Sequence, residues 1–190
     1  MIRLFIAFPL QKEVAEKLGE IIALLKNQGG RVKWVAEQNI HLTARFLGDT
    51  DERLVERLTT LIDDTAAKYN PVDSMIDRLG AFPNLVRPRV IWAGLRDNTE
   101  VLAKAARELE LSVRKLRFKP EKRGFKAHLT LGRVKDPSGV GDLTDYMQDF
   151  NLEEIPLTFD RLTLFKSTLT PQGPIYNRLH EAMLGEKLAK

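Results

Sequence analysis

Two of the three histidines in this 190-residue chain open the same tripeptide: His41-Leu42-Thr43 in "HLTARFLG" and His128-Leu129-Thr130 in "HLTLGR". In an extended strand, residues i, i+2 and i+4 share a face. Alternation therefore puts His41, Thr43 and Arg45 on one side of the first segment, and His128 and Thr130 on one side of the second. Leu42, Ala44 and Phe46 fall on the opposite side and can enter a core, as can Leu129 and Leu131. Gly132 shares the polar face of the second segment and leaves room there. An imidazole titrates close to neutral pH, so one ring can act as base while another acts as acid. A threonine hydroxyl donates to an anionic oxygen without adding charge. A nearby guanidinium favours phosphate over a neutral ester. Facing one another, two such strands would suit in-line displacement at phosphorus with neither metal nor cofactor. One histidine would take a proton from water and the other would give one to the leaving oxygen.

The plainer alternative is that these are structural residues. A single strand histidine is more often structural than catalytic. Threonine is common in strands, and short motifs match by chance. The repetition, with apolar alternation behind both copies, decides for a site. His180, in "NRLHEA", has no threonine two residues on and is assigned a structural place.

Strand-like and helix-like segments alternate around the two motifs. "RLFIAF" (3–8) reads as a buried strand. Residues 11–30 carry Val14, Leu18, Ile21, Ile22 and Leu25 at helical spacing and stop at Gly29-Gly30. "VKWV" (32–35) and "IHLTARFLG" (40–48) read as strands, and 51–69 as a second amphipathic helix capped by Thr50 or Asp51. Strands at 72–82 and 89–95 flank a turn with Pro83, Asn84 and Pro88. A third helix spans 98–116, a strand 125–134, a short helix 141–149, and a closing hairpin 159–169 and 175–184. Each half thus runs strand, helix, strand with His-Leu-Thr. That order predicts two α+β lobes of a duplicated unit, forming one bilobal domain over 1–190. Trp34 and Trp92, in strand-like segments, are placed in the core.

Composition narrows the function classes. Hydrophobic residues make up 43% and charged residues 29%, a globular balance. No cysteine is present, which excludes disulfides, a thiolate nucleophile and a cysteine zinc site. The same absence fits an intracellular, cytoplasmic protein. The apolar N-terminal run stops at Pro9, short of the ~20 residues that span a bilayer, so no membrane role is expected. Net charge is +4. Much of the basic character gathers in "RKLRFKPEKRGFK", residues 114–126, which holds Arg114, Lys115, Arg117, Lys119, Lys122, Arg123 and Lys126 against Glu121. A solvated helix end and loop is one reading of that run. An RNA-backbone track through Arg123, Phe125 and Lys126 is the other, because the run ends just before His128. Phe125, or Tyr176 in the last hairpin, could stack a terminal base. By alternation Arg45 stands beside His41, within reach of a phosphate.

The chain resembles the 2H phosphoesterase superfamily, named for two His-x-Thr/Ser motifs. It is most similar to the RNA 2′,3′-cyclic phosphodiesterases, formerly called 2′-5′ RNA ligases. "RLFIAFPL", "VKWVAEQNIHLTARFLG", "PRVIWAGL", "HLTLGR" and "LTLFKSTLTPQGPIYNRL" carry the resemblance over nearly the whole chain. It implies two antiparallel sheets lining a central cleft, with helices on the outer faces. It also implies His41 and His128 as the catalytic pair, Thr43 and Thr130 as phosphate ligands, and Arg133 as a further phosphate-binding residue. Strict alternation would instead turn Arg133 to the buried side. The implied reaction hydrolyses a 2′,3′-cyclic phosphate at an RNA 3′ end to a 2′-phosphate. ATP-independent 2′-5′ ligation can accompany it. His128 is taken as base and His41 as acid, with the reverse left open. The family often has Pro before the second histidine; here it is Ala127, which bears on the strand's start and not on the chemistry.

The implied partner is RNA with a cyclic phosphate end, tRNA fragments among the candidates, bound by a monomer without cofactor or metal. Two alternatives stand beside this reading. One is a phosphodiesterase for small cyclic nucleotides or 2′-5′ oligonucleotides, which the basic run disfavours. The other is a non-catalytic RNA-binding module, which two intact motifs disfavour.

Overall fold

The opening strand, β1 (Ile2–Pro9), is covered on both faces, which is why it reads as a nearly unbroken apolar run: Leu4, Ile6 and Phe8 are buried on one side and Phe5 and Ala7 on the other. The computed structural model describes residues 1–122 and 124–186. Helix α1 (Lys12–Lys26) buries Val14, Leu18, Ile21, Ile22 and Leu25, the stripe its spacing requires. β2 (Arg31–Trp34) and β3 (His41–Thr50) follow. The Asp51 carboxylate accepts from the Arg53 backbone N–H at 3.0 Å and caps the turn that leads into α2 (Val55–Ala66). Next come β4 (Val72–Phe82), β5 (Val90–Leu95) and α3 (Thr99–Lys115). β6 (His128–Asp136), α4 (Gly141–Asp149), β7 (Ile155–Phe159), β8 (Arg161–Thr170) and β9 (Gly173–Met183) complete the order.

All strand pairings are antiparallel. One sheet has the order β3-β1-β8-β9 and the other β2-β6-β5-β4-β7, so the architecture is α+β with two sheets. Strands β3 and β6, which carry the two motifs, lie in different sheets and contact each other. The cleft therefore runs between the motifs. Outside it, α2 packs on β8 and β9, α3 on β3 and α2, and α1 on β7 and α4. One apolar cluster joins residues of both sheets, from Leu4 and Leu42 to Leu129 and Phe159.

The duplication inferred from element order is visible in the pairings. β1 and β3, on either side of α1, are sheet neighbours, and so are β5 and β6, on either side of α3. Both pairs are bulged at the residue after His-Leu-Thr. Ala7 pairs with Thr43 and Ile6 with Arg45, so Ala44 is skipped. Trp92 pairs with Thr130 and Ile91 with Gly132, so Leu131 is skipped. A bulge inserts one residue and inverts the side-chain alternation beyond it.

Three expectations need correcting here. β7, which carries Pro156, is a strand that the sequence reading leaves out. It pairs with β4 alone, at the edge of its sheet, where a missing N–H is tolerated. The last long strand before the short helix begins at His128, not at residue 125. Trp34 packs against the core as expected, but Trp92 pairs with Thr130, sits across Gly80 and contacts Phe82. A Cβ on Gly80 would lie 2.3 Å from the Trp92 ring, so glycine is required there.

Candidate active site

Each motif histidine is held from behind in the same way. Nδ1 of His41 lies 2.7 Å from the Asn39 carbonyl oxygen, and Nδ1 of His128 lies 2.7 Å from the Lys126 carbonyl oxygen. A carbonyl only accepts, so Nδ1 carries the proton in both rings. The remaining nitrogen, Nε2, is then the one free to take or give a proton in the neutral form. Both rings lean on aromatics. His41 stacks on Phe5 at 4.8 Å between centroids and meets Tyr176 edge-on at 5.5 Å, with Phe165 beside Phe5. His128 meets Phe82 edge-on at 5.0 Å, and the Lys126 ammonium lies 4.9 Å from that ring's centre.

Burial pushes the His41 imidazole down to about 4. The Asn39 carbonyl opposes that, while the nearby His128 and Arg133 add to it. His128 is lowered too, by burial first and then by the charges of Arg133 and Lys126. Burial raises the Tyr176 phenol, and Arg133 opposes that rise. Arg133 is thus felt by both histidines and by Tyr176. The free site favours neutral imidazoles and carries a positive guanidinium, an arrangement suited to an arriving anion. A bound phosphate would offset the repulsion from Arg133 and raise the histidines again.

The bulges decide which neighbours join the two histidines. After Thr130, the skipped Leu131 turns Gly132 to the buried side and the exposed Arg133 toward the histidines. A Cβ on Gly132 would lie 2.7 Å from Val32 and 2.8 Å from Trp34, so that side is already filled. Strict alternation misplaced both residues. After Thr43, the skipped Ala44 has the same effect on Arg45 and Phe46. Arg45 is 6% exposed and turned away from His41, ion-paired with Glu110 and Glu121. The expectation that it stands beside His41 at the phosphate is therefore corrected. In its place the bulge presents Phe46, opposite Phe5, at 6.1 Å between ring centroids and 53% exposed. Sequence reasoning had put Phe46 in the core. Phe46 and Arg133 each stand five residues after their histidine, an odd offset that unbroken alternation assigns to the opposite face.

Thr43 and Thr130 are half-buried, each two residues from its histidine and ahead of its bulge. Phe125 lies before β6 and packs against the core, while Lys126 is exposed. Arg123 lies outside the described residues. His180 pairs with Asp63 at 2.6 Å and ties β9 to α2, away from both motifs. A groove of about 510 Å³ opens from His41 past Tyr176, Asn39, Lys12 and Arg178. Another, of about 610 Å³ and lined by Gln11, Asp73 and Thr158, includes neither motif. Among the described residues no cluster of three or more His, Cys, Asp or Glu is placed to hold a metal ion. Among them, too, no helix is long and apolar enough to cross a membrane.

Known proteins resemble this chain over most of its length. The family described as LigT like Phosphoesterase matches residues 8–92 and 95–176. An RNA 2′,3′-cyclic phosphodiesterase of Methanothermobacter thermautotrophicus is 34% identical over 176 residues, covering 92% of this chain and 95% of that one. One of the same name from Archaeoglobus fulgidus is 35% identical over 178 residues, covering 93% and 97%. Among solved structures, a Thermus thermophilus protein, TT0787, superposes with a TM-score of 0.79 at 27% identity, covering 97% of this chain and 98% of that one.

Proposed function

Because the chain belongs to the LigT-like phosphoesterase family, we propose that it hydrolyses the 2′,3′-cyclic phosphate at an RNA 3′ end to a 2′-phosphate by proton transfer through His41 and His128. The observation that carries this reading is the pairing of two identically held imidazoles across one cleft, within the field of Arg133.

In the proposed reaction one Nε2 takes a proton from water as its oxygen bonds to phosphorus. The bond from phosphorus to O3′ breaks on the far side, and the other Nε2–H protonates O3′. The 2′ ester remains, and the histidines finish with their protons exchanged. The Thr43 and Thr130 hydroxyls donate to the non-bridging oxygens, and Arg133 stabilises their charge. Two observations bear on which ring is base, and they pull apart. His128 is the more open to solvent, which suits the ring that meets water. His41 is pushed further down, which suits the ring that starts neutral. An RNA with sulfur in place of the bridging O3′ separates them: a thiolate leaves without a proton, so loss of the acid is rescued and loss of the base is not.

The RNA flanking the phosphate has two supports in this reading. Phe46 offers an exposed ring for base stacking. The exposed Lys119, Lys122 and Lys126 offer charge to the backbone. Hydrolysis of 2′-5′ linked or small cyclic nucleotides and the joining of RNA ends would use the same two histidines. The test is incubation with a short RNA ending in a 2′,3′-cyclic phosphate, with chelator present, and assignment of the product phosphate. A 2′-phosphate is expected. A 3′-phosphate, or no product beside turnover of a 2′-5′ dinucleotide, would contradict the reading.

A further inference from the structure

Arg45, turned out of the cleft by the bulge at Ala44, is 5% exposed in its side chain and ion-paired with Glu110 of α3 and, at 3.4 Å, with Glu121. Its guanidinium also donates to the carbonyls of Phe46 and, at 2.5 Å, Lys119. Glu110 accepts in turn from the Glu121 backbone N–H at 3.1 Å. One buried cation on the strand of His41 and Thr43 thus fastens residues 119–121. These lie on the crossover that leads from α3 to β6. The same crossover ends at Lys126, whose carbonyl holds Nδ1 of His128.

We propose that Arg45 is a positioning residue for His128: by clasping the crossover to β3 it sets where the Lys126 carbonyl stands, and so how the His128 ring faces His41. This inference rests on His128 as a working group of the proposed phosphodiesterase.

Three observations carry it. First, among the described residues no helix or strand intervenes between Lys115 and His128, so the crossover's path depends on its anchors. Those anchors are Phe118 and Phe125, packed on the core, and the polar clasp between them. Second, the clasp needs arginine, whose planar fork can serve two carboxylates and two carbonyls at once, whereas a lysine ammonium is a single point charge. Third, a buried ion cluster is a poor source of net stability, because apolar replacements often do as well. What such a cluster supplies here is a directed connection between two strands that must face each other.

The test uses the full chain with Arg45→Met, Arg45→Lys and Glu121→Gln, and two readouts. The first is the tautomer of each histidine by nitrogen-15 NMR, which needs no substrate. In Arg45→Met, His128 should lose its single Nδ1–H tautomer while His41 keeps its own. The second is turnover of cyclic-phosphate-ended RNA. A displaced catalytic group costs rate rather than binding, so kcat should fall about tenfold or more with KM changing by less than about threefold. Arg45→Lys should recover part of the loss, and Glu121→Gln should shift both readouts less, in the same direction. A folded Arg45→Met with an unchanged His128 spectrum and kcat within about twofold of wild type would overturn the proposal. If Arg45→Met does not fold, Glu121→Gln decides: no change in His128 or kcat overturns it. A wild type inactive on this RNA would sink the phosphodiesterase reading, and the His128 tautomer would still judge the clasp.

Discussion

Replacing Arg133 with methionine keeps most of the side chain's apolar stem and removes its charge. The bulge at Leu131 turns this residue toward His41, His128 and Tyr176, where its charge affects all three. A charge-assisted hydrogen bond to a phosphate oxygen contributes about 1.5–3 kcal/mol. At about 1.4 kcal/mol per tenfold, its loss should lower kcat/KM some 10- to 150-fold. Because Arg133 is solvent-exposed, the lower end of that range is expected. The pH profile should move as well. Arg133 depresses both histidines, so its removal raises both. The acid limb of kcat/KM marks the base losing its proton, and the alkaline limb marks the acid losing its own. Both limbs should therefore shift to higher pH. The assay is initial rate on cyclic-phosphate-ended RNA from about pH 3.5 to 8.5, in steps of about half a unit, for wild type and Arg133→Met. A variant within about twofold of wild type, with its limbs unmoved, would refute the placement of Arg133 in the field of the site.

The buried His41 also makes stability depend on pH. Its folded pKa, about 4, lies below the unfolded value near 6.5. The unfolded chain therefore binds the proton more readily, and stability is full above about pH 6.5 and lost as pH falls toward 4. Urea denaturation at pH 7 and pH 4.5 should show a larger loss for wild type than for His41→Gln; equal losses would contradict the burial of a neutral ring. Thr43→Ala and Thr130→Ala should each lower kcat/KM about 2- to 15-fold, the range of one hydrogen bond, and leave the pH limbs in place; unchanged rates in both would remove the hydroxyls from the mechanism. Phe46→Ala should raise KM for an RNA oligonucleotide by a stacking contribution of about 1–3 kcal/mol and leave thermal stability nearly unchanged. An unchanged KM would mean that Phe46 supports no base.

Much of this site was legible as residue types, and less of it as directions. The two His-x-Thr copies, the alternation of strands and helices, and the apolar stripes of α1, α2 and α3 led to elements whose ends differ from expectation by a few residues. Faces failed where counting by twos met a bulge. In "HLTARFLG", Leu42, Ala44 and Phe46 fit an unbroken alternation, so nothing in the string marks Ala44 as the extra residue. The same silence surrounds Leu131, which is buried whether or not it is bulged. Arg45 and Arg133 exchanged sides for this one reason. β7 carries Pro156, whose missing N–H is accommodated by an edge position that only the pairing reveals. Its strand-like segment places Trp92 in the core, yet its partner across the strands is Thr130. Long-range pairing settles each of these, and a local window holds no trace of it.

The most direct test of the two-histidine account is kcat/KM for His41→Ala, His128→Ala and the double variant on an RNA ending in 2′,3′-cyclic phosphate. If one ring is base and the other acid in a single displacement, each single variant should lose about 10²- to 10⁴-fold. The double variant should then be little worse than the poorer single, because groups that act as a unit are not additive. A single variant that keeps its rate within about tenfold of wild type, or losses that multiply as for independent groups, would contradict it.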